Sequence, residues 1–152
     1  MVASPMPVDI LEKDTITCLL ANKRVVIACG GGGIPVAKVD GAYKGMEAVV
    51  DKDFASAQMA RLIDADMLVI LTAVDEVSIN FRKPNEEALS SLTITQAKKY
   101  ADEGHFAPGS MLPKVLACCL FAEKNPGKRA MITSLEKAAQ ALRGECGTII
   151  TE

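Results

Sequence analysis

Apolar residues follow two spacings along this chain, one typical of buried strands and the other typical of helices. The run over residues 67–72 is apolar up to its last position, as expected for a strand covered on both faces of a parallel sheet. Shorter, largely apolar runs predict strands at residues 25–29, 129–133 and 147–151. Because these strands alternate with helical segments, the pattern predicts an α/β fold, a three-layer αβα sandwich with a mainly parallel sheet.

Helical spacing, in which apolar residues recur every three or four positions, covers much of the remaining chain. Asp51 and Ser110 stand where N-caps are expected. The pair Asp40-Gly41 between two short segments predicts a tight β-hairpin. Residues 73–92 show neither spacing and are expected to form a long irregular connection. The predicted helices cover residues 8–21, 51–63, 93 or 95 to 103, 111–123 and 135–142.

Composition restricts the class of protein. The length of 152 residues and the hydrophobic fraction of 49% suit one compact domain, residues 1–152. The net charge is −2 and the basic residues are dispersed, so no nucleic-acid partner is expected. No apolar run reaches the roughly 18 to 20 residues of a membrane span, which favours a cytoplasmic protein without membrane contact.

Cysteine and histidine usage argues against a protein-held metal. The five cysteines include no C-x-x-C pair, which favours small buried thiols in a reducing compartment over disulfides or a zinc site. His105 is the only histidine, and this excludes a site with several histidine ligands. We therefore expect no metal ligand from the protein.

Four consecutive glycines, Gly30, Gly31, Gly32 and Gly33, follow the first predicted strand. Glycine adopts positive φ readily and lets backbone N–H groups approach an anion such as a phosphate. The alternative is a flexible turn. The spacing matches neither the Walker motif nor the dinucleotide-binding motif, so the loop alone does not decide between them.

Three further clusters have a functional and a purely structural interpretation. Lys52 lies between two aspartates at a helix start, where anions are favoured, although simple capping also explains the arrangement. Lys114 lies in the first turn of a helix, which suits an external anion or a frayed, exposed turn. Residues 72–77 follow the buried strand, where open parallel sheets bind ligands, but they also suit an ordinary polar connection.

Taken in order, the glycine loop and these three clusters resemble the carbamate kinases, within the amino acid kinase superfamily. The resemblance extends over practically the whole chain and includes residues 4–7, 80–84, 104–108 and 132–135. Carbamate kinases are about twice as long as these 152 residues. The resemblance therefore implies an amino acid kinase-like fold of which this chain is the C-terminal, ATP/ADP-binding half, with the N-terminal half absent.

The resemblance implies an enzyme that transfers a phosphoryl group reversibly between ATP and carbamate, giving ADP and carbamoyl phosphate, in arginine metabolism. Mg²⁺ would accompany ATP or ADP and keep much of its water shell. By similarity, Gly30 to Gly33 would lie near substrate and phosphates, and Lys52, Asp53 and Lys114 would be catalytic. The nucleotide-binding residues implied by similarity are Thr72, Ala73, Val74, Asp75, Val77, Met111, Pro113 and Lys114.

Two alternatives to a carbamate kinase remain open. The chain is a truncated nucleotide-binding fragment without catalysis, or it is an amino acid kinase relative with another acceptor. A sheet cut at the missing half would expose apolar surface or a strand edge. We therefore expect either a homo-oligomer or pairing with the missing N-terminal half.

Overall fold

The computed structural model describes residues 2–152 and divides the chain into two compact units, with the boundary between Ile63 and Asp64. The first unit contains helices α1 (Lys13–Ala21) and α2 (Lys52–Leu62) and strands β1 (Val36–Val39) and β2 (Ala42–Gly45). The expectation of one domain over residues 1–152 stays a prediction. Within residues 2–152, no helix is both long enough and apolar enough to cross a membrane.

The hairpin of the first unit confirms its sequence prediction. Strands β1 and β2 pair antiparallel, with Val39 opposite Ala42. Asp40 and Gly41 have φ angles of 51° and 83°, the left-handed values that a two-residue turn requires. Aspartate and glycine tolerate these angles better than other residues, so the turn residues determine the register of the hairpin.

Helix α2 also begins where the sequence predicts. The Asp51 carboxylate accepts a hydrogen bond of 2.7 Å from the Asp53 N–H and so caps the helix. The helix buries mainly small side chains, among them Ala55, Ala57 and Ala60. The position of Lys52 and Asp53 in its first turn follows from this cap.

Two predictions for the first unit are wrong. Residues 25–29 form no strand, and the side chains of Val25 and Ile27 are 98% and 97% exposed. A strand needs a neighbour for its N–H and C=O groups, and residues 25–28 have none among the described residues. Helix α1 begins at Lys13 rather than at residue 8, because Asp9 accepts hydrogen bonds from the Ile10 N–H and from Lys13 Nζ in a local turn.

The second unit contains a four-stranded sheet. It is built from β3 (Met67–Thr72), β6 (Ser91–Thr93), β7 (Arg129–Ser134) and β8 (Thr148–Thr151), in the order β3-β7-β8-β6. The pairs β3–β7 and β6–β8 are parallel, whereas β7–β8 is antiparallel. The sheet is therefore mixed but mainly parallel, and the predicted α/β class is confirmed.

Helices cover this sheet. Helix α3 (Ile94–Asp102) packs on α4 (Met111–Lys124), and α4 packs on β7 and β8. Strand β7 is buried at every position from 130 to 134, and successive side chains of a strand point to opposite faces. Both faces of the central strand are thus covered, as expected for a layered α/β fold.

The helix termini of the second unit match the sequence signals only in part. Thr93 and Gln96 form a capping box at the start of α3, and Gly104, with a φ of 76°, follows its end. Ser110 occupies the N-cap position of α4, but its hydroxyl makes no capping hydrogen bond. The last helix, α5 (Ala138–Leu142), begins three residues later than predicted.

The connection predicted over residues 73–92 is more regular than expected. It contains β4 (Val77–Ile79) and β5 (Glu87–Leu89), which pair antiparallel, and it also includes the start of β6. These strands have three residues each, too few for a repeating pattern of apolar and polar positions. The prediction of an irregular stretch is therefore wrong for about half of it.

Candidate functional site

A cavity of about 430 Å³, here called the β3 cavity, lies just beyond the carboxyl end of β3. This is where open parallel sheets bind ligands, and the volume suits a small molecule. Two segments line it, one after β3 and one between α3 and α4. The lining residues are Thr72, Ala73, Val74, Glu76, Ser78, Asn80, Phe81, Lys83, Gly104, His105, Phe106, Ala107, Pro108, Ser110 and Met111.

The first wall includes a tight turn, here called the 80–86 turn. Asn80 and Arg82 have φ angles of 53° and 61°, a left-handed conformation that side chains adopt rarely and that is common at functional sites. Asn80 C=O accepts a hydrogen bond of 2.9 Å from the Lys83 N–H, and Asn80 Nδ2 donates to Asn85 C=O. The turn presents Phe81, which is 48% exposed, and Lys83 to the cavity.

The second wall is the loop over residues 104–110, here called the 104–110 loop. The His105 N–H donates to Tyr100 C=O at 3.0 Å, and the two rings meet edge to face with centroids 5.5 Å apart. The next residue, Phe106, is buried and anchors the loop in the core. His105 Nδ1 accepts a hydrogen bond of 3.4 Å from the Asn80 N–H, which joins the two walls.

Helix α4 begins at the edge of the cavity, since Ser110 and Met111 both line it. A helix N-terminus offers unpaired N–H groups and a positive dipole end, which favour an anion. Pro113 and Lys114 follow in the first turn and are half-buried. An anionic group of a ligand in the cavity would therefore be stabilised at this end of α4.

Four of the residues predicted to bind nucleotide, Thr72, Ala73, Val74 and Met111, line the β3 cavity. The other four are not part of the lining. Two of these are Pro113 and Lys114, which follow Met111 in the first turn of α4. The remaining two, Asp75 and Val77, are described next.

Asp75 and Val77 have structural contacts beside the cavity. Asp75 Oδ1 accepts a hydrogen bond of 2.5 Å from Ser134 Oγ. Val77 is fully buried, and its N–H donates to Thr148 Oγ1 at 2.8 Å. The side chain of Val77 belongs to the core of the second unit, so a side-chain contact with a ligand is not expected there.

The glycine loop and the start of α2 lie together within the first unit. Gly32 has a φ of 138°, and a Cβ at this position would lie 1.9 Å from the Val50 carbonyl oxygen. Only glycine fits this approach, which places the loop against the residue that precedes Asp51. At Gly30, Gly31 and Gly33 a Cβ would meet nothing within 4 Å.

Lys52 and Asp53 differ sharply in exposure. Asp53 is only 6% exposed, whereas the Lys52 side chain is 58% exposed, and Lys52 Nζ lies 3.7 Å from Asp53 Oδ2. The buried carboxylate lies in the first turn of α2, at the positive end of the helix dipole. Lys52 is therefore a cation beside the glycine loop with a largely open side chain.

The cysteines and acidic residues offer no metal centre in the described part of the chain. No group of three or more His, Cys, Asp or Glu side chains within residues 2–152 is placed to hold a metal ion. None of the five cysteines, all of them within the described residues, forms a disulfide. Cys118 and Cys119 are buried as predicted, and burial raises the pKa of the Cys119 thiol to about 11, whereas Cys18 is exposed.

Residues 3–134 match the model of the amino acid kinase family. The chain belongs to this family. Over all of its 152 residues, the chain is 52% identical to the carbamate kinase-like protein YqeA of Escherichia coli, and it covers 49% of that protein. It is 52% identical to the carbamate kinase of Clostridium perfringens, of which it covers 48%.

The fold matches solved carbamate kinases as well. The structure of the carbamate kinase from Giardia lamblia bound to AMP-PNP has a TM-score of 0.93 and 41% identity, over 97% of this chain and 46% of that one. This confirms the predicted amino acid kinase fold. The chain thus spans about half the length of these two bacterial relatives.

Sequence reasoning missed part of the cavity lining. The residues not assigned to a site include Ser78, Asn80, Phe81, Lys83 and His105. A signal was present, because residues 80–84 and 104–108 contribute to the resemblance to carbamate kinases. Their convergence on one cavity depends on the β4–β5 pair, which the sequence pattern did not indicate.

Proposed function

We propose that this chain provides the nucleotide-binding part of a carbamate kinase, which transfers a phosphoryl group reversibly between ATP and carbamate to give ADP and carbamoyl phosphate. The observation that carries the proposal is the β3 cavity, which lies in a chain 52% identical over its whole length to a carbamate kinase. A solved relative, described as bound to AMP-PNP, supports a nucleotide as ligand. We place the reaction in the cytoplasm and in arginine metabolism, as the resemblance implies.

The adenosine part of the nucleotide would occupy the β3 cavity. Thr72, Ala73, Val74 and Met111 line it, and Phe81 offers an exposed aromatic face. A purine base combines a flat apolar face with polar edges, and such cavities bind it with apolar walls and a few polar groups. The phosphates would then extend toward the N-terminal end of α4.

Cationic side chains would stabilise the charge that develops during phosphoryl transfer. In this reaction the enzyme mainly positions anionic reactants and neutralises the charge that develops on the transferring group. Lys114 would contact the transferring phosphoryl group, and Lys52 would contact the phosphates. Asp53 would orient the lysine ammonium groups, which is consistent with its distance of 3.7 Å from Lys52 Nζ.

The resemblance also assigns roles to the glycine loop and to Mg²⁺. The loop beside α2 would direct backbone N–H groups of Gly30, Gly31 and Gly33 toward substrate or phosphate, since a bound anion would meet no Cβ there. Mg²⁺ would enter with ATP or ADP and would neutralise part of the phosphate charge.

A second candidate function is nucleotide binding without catalysis. It is favoured by the exposure of Val25 and Ile27, which are 98% and 97% exposed in a segment that has no main-chain hydrogen-bond partner within residues 2–152. We propose that residues 25–28 pair with a strand from a polypeptide equivalent to the half of the relatives that this chain does not span. In this case the chain alone binds a nucleotide, and turnover requires that polypeptide.

The test combines an assay of ATP formation from carbamoyl phosphate and MgADP with calorimetry of MgADP binding, on the chain alone and with the missing part of the Clostridium perfringens enzyme added. Turnover by the chain alone supports the carbamate kinase. Saturable MgADP binding by the chain alone, with turnover only when the added part is present, supports the second candidate. Turnover only with another acyl phosphate indicates a different acceptor. Absence of MgADP binding in both samples would overturn the proposal.

The variant Lys114→Ala tests the assigned cation. We expect at least a 100-fold loss of turnover, because the charge on the transferring group loses a contact made in the transition state. Lys124→Ala is the matched control, since it removes the same charge from the exposed last turn of the same helix. Equal activity of the two variants would show that Lys114 has no special role.

A further inference from the structure

We infer that His105 is a positioning residue, which holds the two walls of the β3 cavity together by accepting a hydrogen bond at Nδ1 from the Asn80 N–H. Only the identity of the ligand that the cavity binds rests on the proposed function. The hydrogen bond is 3.4 Å long and joins residues that are 25 apart in the chain. Neither His105 nor Asn80 was assigned a role by the sequence. The inference concerns how the cavity keeps its shape, not the chemistry of transfer.

The 80–86 turn is held together mainly by its own hydrogen bonds. Asn80 C=O accepts from the Lys83 N–H, and the Glu86 carboxylate accepts from the Arg82 N–H at 2.8 Å. These contacts fix the shape of the turn but not its position against the opposite wall. The bond from the Asn80 N–H to His105 is the contact that links the turn to the 104–110 loop.

His105 is itself well fixed. Its N–H is bonded to Tyr100 C=O, its ring packs edge-on against the Tyr100 ring, and its Nε2 lies 3.4 Å from a Glu103 carboxylate oxygen. An Nε2–H that faces Glu103 leaves Nδ1 as the acceptor for the Asn80 N–H. These contacts hold the ring in place beside the Asn80 N–H.

The position of Asn80 determines which side chains face the cavity. Asn80 has a left-handed φ of 53°, and the next residues of the turn present Phe81 and Lys83 to the cavity. A left-handed backbone is held only where its surroundings impose it. If the Asn80 N–H loses its acceptor, the turn is free to shift, and Phe81 and Lys83 move with it.

Two substitutions separate the two ring nitrogens. Asparagine at position 105 can place its Oδ1 near the former Nδ1, whereas glutamine can place its amide near the former Nε2. The inference predicts that His105→Asn keeps the affinity for MgADP within about twofold, and that His105→Gln weakens it about three- to tenfold, the range for one neutral hydrogen bond. Glu103→Gln keeps an oxygen opposite Nε2 while it removes the charge that pairs with the exposed Lys99, and it should match the parent chain.

Amide hydrogen exchange at Asn80 in the chain without nucleotide provides a readout that does not depend on the ligand. Protection of the Asn80 N–H should persist in His105→Asn and fall in His105→Gln. Failure of the parent chain to bind MgADP would overturn the proposed function, whereas the exchange pattern would still decide the role of His105. Equal protection and affinity in both variants, or rescue by glutamine instead of asparagine, would overturn the inference.

Discussion

Single residues in this chain are constrained by backbone geometry more than by side-chain chemistry. Gly32 is the strongest case, because its φ of 138° and its approach to the Val50 carbonyl exclude every side chain. The sequence showed four equivalent glycines, and only the structure separates Gly32 from its neighbours. One glycine thus maintains the packing of the loop on the start of α2, while the other three face open space.

Gly32→Ala should destabilise the chain by about 2 kcal/mol or more, since the added methyl group meets a carbonyl oxygen and the φ becomes strained. Gly31→Ala is the matched control, because a Cβ there meets nothing within 4 Å, and it should change stability by no more than about 0.5 kcal/mol. Urea unfolding followed by circular dichroism measures both. Equal midpoints for the two variants would contradict the close approach at Gly32.

Cys119 should make stability fall at alkaline pH. Burial raises the pKa of its thiol to about 11 from its ordinary value of 9.0, so between these values the unfolded chain releases a proton that the folded chain retains. The contribution is therefore complete below pH 9 and is lost as the pH rises toward 11, at up to about 1.4 kcal/mol per pH unit.

The check is urea unfolding at several alkaline pH values for the parent chain and for Cys119→Ala. The stability difference between them should change across this pH interval. Cys18→Ala, at an exposed thiol, is the control and should run parallel to the parent chain. A constant difference for Cys119→Ala would show that its thiol does not cause the loss.

At the scale of elements, much of the fold could be predicted from the sequence because local signals agree with packing. The Asp40-Gly41 turn, the Asp51 cap and the apolar run of β3 each carry their own physical reason. The wrong predictions arise where the local signal does not agree with the packing of the folded chain. Residues 25–29 have the composition of a strand, but a strand depends on a neighbour that the sequence of the segment does not reveal.

The candidate site could be predicted to a similar extent. Thr72 ends the recognisable apolar strand β3, Ala73 and Val74 follow it, and all three line the cavity. The opposing contribution of Phe81 and His105 arises from the pairing of β4 with β5 and from the Asn80–His105 hydrogen bond, both of which are non-local. No spacing rule along the chain indicates such convergence.

Asp51→Ala should lower stability by about 1 kcal/mol, because α2 loses the acceptor for the Asp53 N–H. Asp51→Asn keeps an acceptor at the same place and should retain most of the stability. Thermal unfolding of both variants, with amide exchange at Asp53, measures the effect. Similar losses in the two variants would indicate that the charge of Asp51, rather than the cap, is what matters.

At the scale of the whole molecule, the chain spans about half the length of its relatives, and it exposes apolar side chains that additional chain could cover. Val25 and Ile27 alternate with half-buried neighbours, so exposure along the segment has the two-residue period of a strand. Unpaired N–H and C=O groups on such a segment are a template for strand addition. Partner binding is therefore expected at residues 25–28.

The double variant Val25→Lys, Ile27→Lys should leave the stability of the chain alone nearly unchanged, because both side chains are almost fully exposed. It should weaken binding of the missing part of the Clostridium perfringens enzyme at least tenfold, since two apolar contacts and strand pairing are lost. Analytical ultracentrifugation and amide exchange at residues 25–28 measure this. A control with Val8→Lys, another exposed valine of the same unit, should bind normally.

The parallel pairing of β3 with β7 has a consequence for synthesis of the protein. Met67 pairs with Arg129 and Thr72 with Ser134, so β3 leaves the ribosome long before its neighbour exists. During that interval Leu68 and Ile70, which are buried in the finished fold, remain exposed on a nascent chain. The period of greatest chaperone dependence should therefore begin when residue 72 emerges and end once residue 134 has followed it.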